Sequence, residues 1–130
     1  YTPQVGSIWK APNRIWTSGF ASGSPKEEIH PSVVEKIYSG NITVSIAPGT
    51  SKEKGGSCVY KVKLGDEERT TYFLIDLSMP YHVDDIKELK RGWNGVDELD
   101  DDQMQDFKRQ IYKEIGNIFM MILMTKVYFF

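Results

Sequence analysis

Cysteine is nearly missing from these 130 residues: Cys58 stands alone, which excludes an intramolecular disulfide and a cysteine-cluster zinc site. Histidine is scarce as well. His30 and His82 lie far apart, and no His-x-x-x-His or Cys-x-x-Cys spacing exists, so no metal-ligand set is expected. No glycine-rich loop precedes a helix, which removes the common nucleotide-binding folds, and no cofactor is expected. Neither sign of charge prevails: 16 basic residues face 18 acidic ones, so any contact with nucleic acid has to come from a local patch. The longest apolar tract, Ile115 to Phe130, is broken by Gly116, Asn117 and Lys126. It falls short of the roughly 20 residues that a membrane span needs. A soluble, cytoplasmic protein without membrane association is expected. The chain opens at Tyr1 rather than Met, so a processed or trimmed N-terminus is expected too.

What is present is material for one core. Hydrophobic residues make up 40% and aromatic residues 12% of the chain, enough for a single domain over residues 1–130. Residues 1–99 read as strands and loops. Val5–Lys10 suggests an opening strand, and 11–28 a long polar connection of the kind that carries function in compact domains. Ser32–Tyr38 and Ile42–Ala47 are rich in β-branched residues and are joined by Ser39-Gly40-Asn41, a hairpin turn. Cys58–Leu64 and Thr71–Leu77 suggest two more strands, the second buried on both faces. Cys58 itself reads as a structural thiol.

Residues 100–125 predict a C-terminal helix. Asp100 is a suitable N-cap with Gln103 three residues on, and Asp101 and Asp102 put negative charge where the helix dipole favours it. The run from Asp97 to Asp102 is therefore a helix start; it lacks the alternating ligands and central glycine of a calcium loop. Met104, Phe107, Ile111, Tyr112, Ile115, Ile118, Phe119 and Ile122 recur at three- and four-residue steps, which predicts one apolar face. From Ile118 the other faces turn apolar too, and with Tyr128-Phe129-Phe130 this predicts self-association. Strands followed by one terminal helix imply a mainly β domain, a small curled sheet or barrel with a helix laid on it.

Several short motifs carry a family resemblance. Val5-Gly6-Ser7-Ile8-Trp9, Gly23-Ser24-Pro25-Lys26-Glu27-Glu28-Ile29-His30-Pro31-Ser32-Val33-Val34, and Val44-Ser45-Ile46-Ala47-Pro48-Gly49-Thr50-Ser51 follow one another in order. Tyr72–Leu77, Val83-Asp84-Asp85-Ile86 and the helical segment from Leu99 complete the series. In order and spacing they resemble the PemK/MazF family of toxin endoribonucleases from toxin–antitoxin systems. The resemblance implies an SH3-like small barrel with a C-terminal helix, working as a homodimer. It further implies metal-independent cleavage of single-stranded RNA and neutralisation by an antitoxin protein. The family's catalytic arginine before proline falls on His30, and its catalytic threonine falls on Thr50. The arginine after the last core strand is missing, with His82 near its place.

Histidine suits these positions chemically, because its ordinary pKa near 6.5 allows it to give and take protons at neutral pH, which arginine does not. His30 is thus expected as general acid or base, Thr50 as hydrogen-bond donor to the phosphate and His82 as a second proton-transfer group. Ser51, Lys52, Lys54 and Lys26 are expected to bind the substrate. The alternative is a catalytically inactive module of the same fold that engages a protein partner.

Overall fold

The computed structural model describes residues 3–17, 20, 23–53, 58–66 and 68–113; Lys54 and the apolar segment 114–130 lie outside them. Seven strands, β1 (Ile8–Pro12), β2 (Ile29–Ile37), β3 (Thr43–Thr50), β4 (Val59–Val62), β5 (Thr71–Leu74), β6 (Met79–His82) and β7 (Lys90–Arg91), pair antiparallel. A four-residue helix α1 (Val83–Ile86) follows β6, and a second helix, α2, occupies 101–113. The strand order is β4-β5-β3-β2-β1-β7. β6 lies off that path, because β3 is shared along its length. Thr43–Ile46 pairs with β6, whereas Gly49 and Thr50 pair with Phe73 and Tyr72 of β5.

Alternation along the three central strands builds two cores. Ile8, Val33 and Ala47 lie in register on one face, where Tyr60, Phe73, Leu99 and the fully buried Phe107 of α2 cover them. Trp9, Ala11, Val34, Val44 and Ile46 occupy the opposite face, closed by Trp16 and by Val83 and Ile86 of α1. Side chains that are apolar on both sides of a strand are the mark of a sheet covered on both faces. Such a sheet buries its apolar surface without closing on itself. The expected barrel is accordingly absent: β4 and β7, the two ends of the path, do not pair with each other among the described residues.

Local signals explain the boundaries. Gly40 and Asn41 both have positive φ (91° and 57°), as the tight turn between β2 and β3 requires. At the start of α2 the Gln103 amide donates to Asp100 Oδ1 (2.8 Å) while the Asp100 amide donates to Gln103 Oε1 (3.0 Å), a reciprocal capping box. Met104, Phe107 and Ile111 face the first core as the helical period predicts, but Tyr112 is 70% exposed and leaves that stripe. The stretch expected as an unstructured connection carries a 3-10 turn at Asn13–Ile15. β2 begins at Ile29, three residues before its predicted start, and β3 runs on through Thr50. Both extensions bear on the site.

Candidate functional site

The register of β2 and β3 brings His30 and Thr50 together. Ser32↔Pro48 is the pair nearest this end, and the same register carried two residues further sets His30 opposite Thr50, where both line one cavity. Alternation places both on the face that carries Trp9 and Val34. Gly49, next to Thr50, lets β3 pack closely on its neighbours here. A Cβ at Gly49 would lie 2.9 Å from the Phe73 ring and 2.9 Å from the Pro31 carbonyl oxygen.

The end of the long connection is stapled over this corner. Asn13, buried in the 3-10 turn, donates from its backbone amide to the Glu28 carbonyl (3.0 Å) and from its side-chain amide to the Pro25 carbonyl (2.9 Å). The Arg14 amide donates to the Lys26 carbonyl (3.0 Å). Main-chain bonds of this kind fix where a loop's side chains can go.

The result is a cavity of about 270 Å³ with polar walls from Ser24, Glu28, His30, Thr50 and Lys52 and apolar walls from Phe20, Leu74 and Leu77. Thr50 is buried, and its Oγ1 accepts a hydrogen bond from the Lys52 amide (3.2 Å), which folds the Lys52 turn over the hydroxyl. The hydroxyl proton is left available as a donor. The His30 side chain is 20% exposed. Its ring meets Phe20 edge-on at 5.3 Å between centroids. Its Nε2 is buried without a hydrogen-bond partner, 3.4 Å from Glu28 Oε1. Burial holds the His30 pKa below its ordinary 6.5; the Glu28 carboxylate pulls it back up and the Lys52 ammonium pushes it down. The lowered pKa favours the uncharged imidazole, the form able to accept a proton.

Of the residues expected at the site, His30, Thr50 and Lys52 converge. His82 does not. It pairs with Thr43, seven residues along β3 from Thr50, roughly 23 Å at about 3.3 Å per residue. Its Nδ1 accepts the Asp84 amide (3.0 Å) and caps α1. Ser51 and Lys26 are exposed and do not line the cavity, and Lys54 falls outside the described residues. Glu28 and Phe20 are cavity residues that the sequence reading did not single out. The signal for Glu28 was its closeness in sequence: it stands two residues before His30, immediately ahead of β2.

Other polar features are structural. Tyr60, its pKa pushed up to about 12 by burial and by Asp106 and Asp100, donates from its hydroxyl to the Gln103 carbonyl (2.9 Å) and ties β4 to α2. A larger cavity of about 640 Å³ beside the start of α2 is lined by Glu98, Asp100 and Asp101 with Lys108, a wall that repels anions. Among the described residues no helix is long and apolar enough to cross a membrane. The chain matches no protein-family model and no curated protein sequence.

Proposed function

We propose that the protein is a metal-independent endoribonuclease acting on single-stranded RNA, a toxin of the PemK/MazF kind held in check in the cytoplasm by an antitoxin segment laid over the cavity. The observation that carries this reading is the convergence of His30, Thr50 and Lys52 on one cavity. A neutral imidazole, a hydroxyl donor and an ammonium are what phosphodiester transesterification asks for. At about 270 Å³ the cavity is slightly smaller than the ~300–1,000 Å³ of small-molecule sites, which suits a phosphodiester linkage with one sugar.

In this reading His30 takes the proton of a ribose 2′-hydroxyl, and the 2′-oxygen attacks the adjacent phosphorus. Thr50 donates to a non-bridging oxygen, where charge accumulates in the transition state. The bond to the 5′-oxygen breaks, the leaving oxygen takes a proton from the Lys52 ammonium, and solvent resets both side chains. The products carry a 2′,3′-cyclic phosphate and a 5′-hydroxyl. The apolar sequence of 118–130 supports the homodimer that the resemblance implies.

The test is incubation of a long RNA with the protein in excess EDTA, followed by mapping of the cut ends. Discrete cuts with cyclic-phosphate or 3′-phosphate ends are expected. Intact RNA, with a protein partner bound at the same face, would instead support the inactive binding module; the absence of a second histidine from the cavity favours that rival.

A further inference from the structure

We infer that Glu28 is the positioning residue of His30, a carboxylate that holds the imidazole with its Nε2–H inward and its Nδ1 as the working nitrogen. The inference rests on the ribonuclease reading for the reaction served, but the pair itself stands on geometry. Buried polar nitrogens without partners are uncommon in folded proteins and call for an explanation. His30 Nε2 lies 3.4 Å from Glu28 Oε1, a few tenths of an ångström beyond a hydrogen bond. Such bonds are often long before substrate binds and tighten in the complex.

Three features make the contact a built one. Glu28 is the residue immediately before β2 and His30 the second residue of that strand, so one short stretch of main chain delivers both side chains to the cavity. The Glu28 backbone is anchored by its carbonyl to the Asn13 amide and by its own amide to the Pro25 carbonyl (3.2 Å), so the carboxylate starts from a fixed point. Phe20 lies edge-on to the imidazole and limits its rotation. Around His30 the charged groups are Glu28 and Lys52, with Thr50 the neutral donor; no other charged side chain lines the cavity among the described residues. A carboxylate on one ring nitrogen selects the tautomer and leaves the other nitrogen's lone pair to act as base.

The experiment is nitrogen-detected NMR titration of the two histidines in the whole protein, comparing wild type with Glu28→Gln and Glu28→Asp. His82 serves as an internal control for folding. In Glu28→Gln the His30 midpoint should move down by roughly half to one pH unit. Its population should shift from the Nε2–H toward the Nδ1–H tautomer, while the His82 signals stay put. Glu28→Asp should restore the tautomer in part. An unchanged midpoint and tautomer for His30 in Glu28→Gln would overturn the inference, even in a protein that cuts RNA. A protein that never cuts RNA yet shows both shifts would overturn the ribonuclease reading and leave the pair standing.

Discussion

The two ends of β3 each present a histidine, and the two are built for opposite purposes. At the Thr43 end, His82 is 44% exposed and its Nδ1 accepts the Asp84 amide, so its polar capacity is used in starting a helix. At the Thr50 end, His30 is more deeply set, its Nε2 has no hydrogen bond, and burial lowers its pKa, with Glu28 opposing and Lys52 adding to that shift. Same residue type, same strand neighbourhood, different chemistry. A histidine whose hydrogen bonds serve the backbone is part of the scaffold. One whose buried nitrogen faces a carboxylate keeps its other ring nitrogen for a substrate.

The contrast can be broken from the site outward. The largest change is expected from Thr50→Val, which keeps the shape of a buried side chain and removes the hydroxyl that the proposed mechanism directs at the developing charge. Cleavage in EDTA should fall about 10²–10³-fold, measured as single-turnover rate on a fixed RNA. Thr50→Ser, which retains the hydroxyl, should keep most of it. Gly49→Ala comes next. Its Cβ would press on the Phe73 ring and the Pro31 carbonyl, so a stability loss of about 1–3 kcal/mol by denaturant unfolding is expected, with a loss of activity as β2 and β3 are pushed apart.

At the other end of β3, His82→Ala removes only a cap. A stability loss of about 1 kcal/mol is expected, without change in cleavage rate. The smallest effect is pH dependence. Because His30 is held below its unfolded value, the folded protein binds fewer protons than the unfolded chain just below pH 6.5. Stability should therefore be full above 6.5 and decline as pH falls through the folded pKa, a trend that His30→Gln removes from the unfolding midpoint.

Short-range signals in the sequence were legible because they are decided locally. The Gly40-Asn41 turn and the Asp100–Gln103 box follow from a left-handed backbone and a reciprocal side-chain bond within four residues. The central strands were legible from β-branched runs. Their ends were not, since His30-Pro31 and Pro48-Gly49-Thr50 carry turn residues, and only pairing across the sheet makes strands of them. β6 escaped notice because Met79-Pro80-Tyr81-His82 is short and contains a proline, which a strand at the edge of β3 tolerates. His82 was expected at the site because it falls near the place of the arginine that the resemblance implies, whereas pairing of β6 with Thr43–Ile46 takes it to the far end. Closure into a barrel was expected because one helix was counted on for cover; Trp16 and α1 supply the second cover.

Two single substitutions measured side by side test the central contrast most directly: His30→Ala and His82→Ala, each shown folded, each incubated with the same long RNA in excess EDTA. The account predicts that His30→Ala loses cleavage by at least about 10²-fold while His82→Ala cuts at the wild-type rate and at the same positions. Equal losses in both variants, or full activity in His30→Ala, would contradict it.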